Sequence, residues 1–215
     1  ALETVDLDLV LAGDGAGPIE HSELMMQREG YAAAITNPKV LDAIRGGYHQ
    51  KIALAYVEWG GPESQETVVD WTVIDGPDSA AQFAARLMEA PRGATSYNSI
   101  SEAIYYSVNE IETNAFEGRR KIIDISGDGG QLNGRPLQGA RLEALSRNIT
   151  INALVVYQPG GLNTGPMGQP LFDHYKNDII AGRGAFALVA EGREEFAQAI
   201  LKKMILEIAE AVARD

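Results

Sequence analysis

The sequence predicts an α/β fold: a doubly wound, mostly parallel central sheet of about six strands, with one antiparallel edge strand and helices on both faces. Three observations predict it. Strand-like and helix-like apolar patterns alternate from one end of the chain to the other, as a parallel sheet covered by helices requires. The 215 residues suffice for one well-buried core and are short for two, so 1–215 reads as a single domain. No internal repeat or low-complexity linker divides them.

Val5 to Ala12 (VDLDLVLA) reads as the first strand, with Asp6 and Asp8 alternating against Leu7, Leu9 and Leu11. Residues 20–35 read as a helix whose Leu24, Arg28, Tyr31 and Ile35 share a face. Pro38 interrupts, and Val40 to Ile44 adds a short helical turn. Two strands follow, Lys51 to Trp59 and Thr67 to Ile74. Gly60-Gly61-Pro62 between them suits a hairpin-like connection, which makes one strand antiparallel. Asp75-Gly76-Pro77-Asp78 is a turn opening a helix that runs to about Met88. Ser99 to Ile111 is the clearest amphipathic helix, with Ile100, Ile104, Val108 and Ile111 at helical spacing.

Lys121 to Ser126 (KIIDIS) is a strand broken by Gly127-Asp128-Gly129-Gly130. A helix over 138–147 leads to a strand from Thr150 to Tyr157. Gly184 to Val189 is a short last strand. Residues 193–212 close as a helix, with Phe196, Ile200, Met204, Ile208 and Val212 at every fourth position. The long irregular segment Pro159 to Pro170, rich in Gly and Pro, leaves the C-terminal end of a strand. Open α/β sheets place their ligands at that edge.

Composition narrows the function. The net charge of -12 repels phosphate backbones, which argues against nucleic acid as a partner. No apolar run approaches the roughly 20 residues of a membrane helix. The absence of cysteine excludes disulfides and thiolate metal sites. The chain opens at Ala1 with neither initiator Met nor hydrophobic leader. A processed secretory product, hence periplasmic or secreted, and a trimmed chain both fit.

Three loops are expected at one edge of the sheet: Gly13 to Pro18, Gly93-Ala94-Thr95-Ser96, and Ser126-Gly127-Asp128-Gly129. They supply Asp14, Thr95 and Asp128. Two carboxylates and a hydroxyl suit a hard divalent cation such as Mg²⁺. Each residue also has a plainer reading: Asp14 and Thr95 as helix caps, Asp128 as a turn former.

A strand ending in Asp, a Gly-Ala-Thr loop before a helix, and a strand running into Gly-Asp-Gly resemble the metal-ion-dependent adhesion site of von Willebrand factor A domains. The chain is more closely similar to an uncharacterised family of bacterial secreted proteins with this fold. The similarity rests on REGYAAAITNPKVLDAI (28–44), IALAYVEW (52–59), GATSYNSISEAI (93–104), FEGRRKIIDISGDG (116–129) and ITINALVVY (149–157), and covers nearly the whole chain. It implies a fold and a family, not a biochemical function. It also implies a first metal motif of the form Asp-x-Ser-x-Ser, where this chain reads Asp14-Gly15-Ala16-Gly17-Pro18. Ala16 and Pro18 offer no side-chain oxygen in place of the expected serines. The expectation is a degenerate site: Asp14, Thr95 and Asp128 remain, and Mg²⁺ or another divalent cation binds weakly or not at all.

Other residues invite plainer readings. Asp124 lies inside an apolar strand, which calls for a hydrogen-bond or Arg partner, with a second acidic site as the alternative. His21, His49 and His174 lack metal-ligand spacing and read as surface or helix-start residues. Tyr105 and Tyr106 read as split between core and surface. Gly118-Arg119-Arg120-Lys121 reads as a small solvated basic cluster.

The leading functional expectation is a non-catalytic, protein-binding or adhesion-like module. Its ligand would meet the edge made by 13–18, 93–98, 128–137 and 159–170. Divalent-cation-dependent ligand binding is the alternative. A nucleotide-binding or enzymatic domain is weaker, because Gly13 to Gly17 lacks Gly-x-Gly-x-x-Gly spacing, a Gly-Lys-Ser/Thr ending and a nearby basic residue. No Ser-His-Asp or Gly-x-Ser-x-Gly arrangement appears. A structural subunit with vestigial acids completes the set.

Overall fold

The sheet is built around β1 (Glu3–Asp14), which has strands on both sides and helices over both faces. A computed structural model describes residues 1–15 and 21–212 of the chain. In chain order, α1 (His21–Thr36) and α2 (Pro38–Arg45) follow β1, then the hairpin β2 (Ile52–Trp59) and β3 (Gln65–Ile74). Next come α3 (Pro77–Glu89), α4 (Ile100–Thr113), β4 (Phe116–Gly127), α5 (Leu137–Ser146) and β5 (Thr150–Tyr157). A short α6 (Leu171–His174) runs into a wide turn over Tyr175–Ile179, and β6 (Ala187–Glu191) and α7 (Arg193–Val212) end the domain. The strand order is β3-β2-β1-β4-β5-β6. All neighbours are parallel except β2 and β3, so the antiparallel strand lies at the edge, as expected. None of the described helices is long and apolar enough to cross a membrane.

Alternation along the central strands divides the core. Leu7, Leu9 and Leu11 face Tyr31, Ile35, Phe83, Phe196 and Ile200 of α1, α3 and α7. Val10 and Ala12 face Ile104, Val108, Ala140 and Tyr175 on the opposite side. Each buried Leu or Ile contributes about 1.5–3 kcal/mol.

Several boundaries differ from the sequence pattern. β4 starts at Phe116 because its charged first turn still pairs with β1, from Glu3↔Phe116 onward. β6 starts only at Ala187: Gly182 and Gly184 take left-handed φ of 102° and 73°, and Ala185 N–H closes a turn on Gly182 O. The helical segment from Leu171 was absent from the sequence reading. The first helix was expected from residue 20, which lies outside the described residues.

Because both faces are covered, the acids of the central strands are buried. Asp6 accepts the His49 backbone N–H at 2.9 Å. Asp124 is ion-paired with Lys203 of α7, so its partner is a lysine rather than an arginine. Lys203 Nζ also donates to Glu207 at 2.9 Å, and Asn152 Nδ2 donates to the same Glu207 oxygen at 2.9 Å. Burial beside Asp124 raises the Glu207 carboxyl to about 8, so it is largely protonated at neutral pH. Asp8 is fully buried, and burial raises it from 3.8 to about 6 against the opposing influence of Asn114, Gly118 and Lys121.

Two outcomes follow for stability. Lys203→Met leaves Asp124 buried without its cation and should cost about 3–5 kcal/mol in urea unfolding. Glu207→Gln, which imitates the protonated acid, should cost about 1 kcal/mol or less at neutral pH. Equal losses would mean that Lys203 does not serve Asp124. For Asp8 the folded pKa lies above the unfolded one. Its favourable contribution is complete below about pH 3.8 and is lost as pH rises through about 6. Between about pH 4 and pH 7 the natural chain should therefore lose roughly 1–3 kcal/mol more than Asp8→Asn. Parallel urea midpoints for the two proteins would contradict this.

Candidate functional site

The C-terminal ends of β1, β4 and β5 meet at one edge, and the segments 127–136 and 157–170 leave the sheet there. The α3–α4 connection, 90–99, joins them: Asn98 Nδ2 donates to Gly130 O at 2.7 Å, and Leu132 N–H donates to Asn98 O at 3.0 Å. Two glycines make room for buried phenols. A Cβ on Gly13 would stand 2.4 Å from the Tyr56 hydroxyl, and one on Gly127 would stand 2.5 Å from the Tyr175 hydroxyl.

Asp14, at the end of β1, is 3% exposed, and Asp128 is half-buried just beyond β4. Both line one cavity of about 190 Å³, with Glu23 and Met26 of α1, Gln158 after β5 and Phe196 of α7. Gln158 Nε2 donates to Asp128 Oδ2 at 2.9 Å, and Gln27 Nε2 holds the Asp14 carbonyl at 3.2 Å. Burial, then Asp14 and Asp128, push the Tyr175 phenol well above its usual range. Burial, then Asp128 and Asp14, also raise Tyr97. The two acids and two phenols thus form one electrostatic cluster. The phenols stay protonated and can donate: Tyr175 O–H bonds Gly129 O at 2.7 Å.

Thr95 lies on the 90–99 connection, whose Ala94 is beside Gly15. It is exposed, its N–H donates to Ser64 Oγ at 2.8 Å, and its carbonyl accepts Gly61 N–H at 3.0 Å. That ties it to the β2–β3 hairpin, and it is not among the described residues that line the acidic cavity. Three residues on, Asn98 is fully buried against the Asp128 segment, and its Oδ1 has no hydrogen-bond partner among the described residues. Ala16, Gly17 and Pro18, which carry the sequence reading of a degenerate motif, lie outside the described residues. Among the described residues, no group of three or more His, Asp or Glu side chains is placed to hold a metal ion.

Four residues position this edge without having been singled out for it. Arg28 sits on the apolar face of α1 and makes two 2.9 Å bonds to Glu58 of β2. It also donates to the carbonyls of Leu87, Ala90 and Pro91. Glu58 in turn accepts Gly93 N–H at 2.9 Å, so the pair anchors the start of the 90–99 connection. A cation in a helical apolar stripe and an acid in IALAYVEW were the available signals. Gln131 caps α4, its Oε1 accepting Ile100 N–H at 2.7 Å and Ser101 N–H at 3.0 Å, and nothing local in the sequence announces this. Arg92 donates to Gly15 O at 2.8 Å, so folding brings a basic residue to the first loop although none is near it in sequence.

His174 is buried rather than at the surface. Its Nε2 accepts Gln131 N–H at 3.2 Å, which leaves the Nδ1 proton for Asp178 at 2.8 Å. Tyr105 and Tyr106 are both half-buried, the first under the Arg135 guanidinium and the second bonded to Thr67. A second recess, which shares Asp128, is lined by exposed apolar side chains: Leu162 is 90% exposed, with Leu132 and Tyr97 in the same recess.

Comparison with known proteins gives this edge a context. The von Willebrand factor type A protein from Catenulispora acidiphila superposes with a TM-score of 0.61 at 13% identity, over 99% of this chain and 44% of that one. Proximal thread matrix protein 1 from the mussel byssus gives 0.68 at 13% identity, over 97% and 49%. One structure of that protein is described as having a zinc-occupied MIDAS motif. The vWF domain of the type V pili tip protein Mfa5 from Porphyromonas gingivalis gives 0.62 at 11% identity, over 98% and 97%. The chain thus spans about half the length of the first two and nearly all of the third. These likenesses establish the von Willebrand factor A fold. No curated protein matches the chain. Over residues 4–212 the sequence matches the family described as protein of unknown function (DUF1194), and the chain belongs to that family.

Proposed function

We propose that the chain is a non-catalytic, protein-binding module of adhesion type, whose partner docks on the edge formed by 93–98, 128–137 and 159–170. One observation carries this reading: Asp14 and Asp128 share a cavity, and Asp128 also lines an adjoining recess with the exposed apolar side chains of Tyr97, Leu132 and Leu162. Contiguous exposed apolar groups around a polar centre are the anatomy of a recognition surface. The pilus-tip and byssal-matrix proteins of this fold lend support. They also support a periplasmic or extracellular location. The acidic surface argues against nucleic acid as the partner.

The metal reading turns on the donor set. Asp14 and Asp128 supply carboxylates and Thr95 a hydroxyl, but Ala16 and Pro18 supply no side-chain oxygen, and Mg²⁺ demands near-octahedral geometry. Weak or absent cation binding is the proposal. A functional divalent-cation site is the second reading, favoured by the buried Asn98 Oδ1 and by the zinc-occupied relative. A nucleotide-binding alternative has Arg92 near the first loop in its favour, but that guanidinium is already engaged with the Gly15 and Ala94 carbonyls.

Titration calorimetry with Mg²⁺, Mn²⁺ and Zn²⁺ is expected to give no micromolar binding. Tight binding lost in Asp14→Ala/Asp128→Ala would establish the second reading instead. The same double variant, checked for fold by circular dichroism, should lose protein partners captured by the natural chain from the envelope of the source cells. Unchanged capture would remove the rim from the account. Saturation-transfer NMR with a nucleotide panel should be silent at the first loop.

A further inference from the structure

We propose that His174 is a pH-sensitive latch on this edge: as the neutral imidazole it holds the 128–136 segment in place, and protonation at Nε2 releases that segment. Only its effect on a partner rests on the reading of the edge as a docking surface. Two hydrogen bonds fix the form of the ring. The Gln131 backbone N–H, which can only donate, lies 3.2 Å from Nε2. Nε2 is therefore the bare nitrogen, and the ring proton sits on Nδ1, 2.8 Å from Asp178 Oδ2. An imidazolium carries a proton on both nitrogens. Charging the ring thus sets two donors head to head at Gln131.

The ring has no room to turn away. His174 is buried, a Cβ on Gly130 would lie 3.3 Å from its Nε2, and one on Gly165 would lie 2.8 Å from its Cβ, so two stretches of backbone close over it. Asp178 holds the other nitrogen, and it is Gln131 that must give way. Gln131 anchors its segment: Oε1 accepts the Ile100 and Ser101 N–H groups, and Nε2 donates to Ser101 Oγ at 2.8 Å and Asn133 O at 2.6 Å. Leu132 follows it directly, and Asp128 lies three residues before it, both lining the apolar recess. A shift of Gln131 therefore reaches the first turn of α4 and the docking face together. The charges around the ring pull in opposite directions. Asp178, on the same turn, favours the imidazolium. Arg141 of α5 lines the same recess of about 530 Å³ and opposes it, with its Nη2 spent on Ile180 O. Asp128 of the 128–136 segment favours it from beyond Gly130, while the 159–170 segment presents the uncharged Gly165, Pro166 and Gln169. Asp173 and Lys176, exposed on either side in sequence, offset each other. The neighbouring Tyr175 phenol stays protonated on Gly129 O. An imidazole ordinarily changes charge between about pH 5 and 8, so the latch is engaged at neutral pH and released in mildly acidic medium.

The test is amide hydrogen exchange on the full chain, read by NMR and corrected for the intrinsic pH dependence of exchange. Release takes up one proton, so opening should become up to about tenfold more frequent per pH unit of acidification. Protection of the Gln131, Ile100 and Ser101 N–H groups is expected to fall about tenfold or more between about pH 7.5 and about pH 5.5, while that of β1 holds. The fall should follow the Cε1–H resonance of His174 and not those of His21 or His49. His174→Gln offers an amide oxygen to the Gln131 N–H and cannot charge, so its protection should stay constant. Should that variant fold poorly, Asp178→Asn, at a position 49% exposed, replaces it. Losing the carboxylate disfavours the imidazolium, so the His174 titration and the loss of protection should move to lower pH together. Partner capture is measured separately. It should weaken at about pH 5.5 for the natural chain and not for His174→Gln. If protection responds and capture does not, the latch stands and the docking reading fails. The latch is overturned if protection is constant across this range, if it falls equally in His174→Gln, or if Asp178→Asn moves the resonance without moving the loss of protection.

Discussion

Arg28 and Glu58 bring opposite charges to 1% and 0% exposure, and the geometry of the rim rests on that pair. Burying two ions costs several kcal/mol each, which Coulomb attraction offsets only when geometry is good and the remaining donors are satisfied. Here they are. The guanidinium forks onto the carboxylate and spends its other protons on the carbonyls where α3 ends, while Glu58 accepts Gly93 N–H. One interaction therefore locks α1, β2, the end of α3 and the start of the 90–99 connection. Gln131 closes the other side by holding the segment after β4 to the first turn of α4. A surface fixed this way loses little conformational entropy when a partner docks.

The same constraint, a central sheet without water on either face, governs the acids inside it. Asp6, Asp8 and Asp124 meet it in three ways: a backbone N–H, a raised pKa that favours the neutral acid, and a lysine. The lysine is on α7, so its charge also fixes how that helix lies across β4 and β5. Asn152 joins the arrangement from β5 and spends its carbonyl oxygen on Phe186 N–H, just before β6. Three elements and the segment before β6 thus share one polar network in an otherwise apolar layer, which ties their positions together more selectively than apolar contact does.

The architecture was legible because period is a local property. Alternation along β1 and four-residue spacing along α4 and α7 can be read without knowing what packs against them, and the hairpin can be read from Gly60-Gly61-Pro62. Convergence is not local. The alternation of strands and helices predicts that Asp14 and Asp128 lie at one edge, and both line one cavity. Thr95 is grouped with them on the same reasoning; its backbone is hydrogen-bonded to the hairpin, and it does not line that cavity. Loop paths depend on individual contacts that no periodicity encodes. Arg28 and Glu58 each broke an apolar pattern, so the anomaly was visible while the pairing was not. Gln131 and Arg92 carry no signal, since the Ile100 and Ser101 N–H groups and the Gly15 carbonyl that they hold are backbone atoms distant in sequence.

The charges at the two ends of the sheet follow from its winding. Helices that run antiparallel to parallel strands put their N-termini, with unpaired N–H groups and partial positive charge, at the C-terminal edge of the sheet. Asp14, Asp128 and Glu23, the last in the first turn of α1, lie at that edge. The opposite edge receives helix C-termini, and there Arg119, Arg120, Lys121 and Arg183 gather. The exception follows the same rule. α3 comes after the antiparallel β3, so its C-terminus reaches the acidic edge, and a cation, Arg28, takes its carbonyls. Each such contact is worth about 0.3–1 kcal/mol where exposed and more where buried. Carboxylates at the rim are therefore favoured by the fold itself, and their presence does not require a metal ion to account for it.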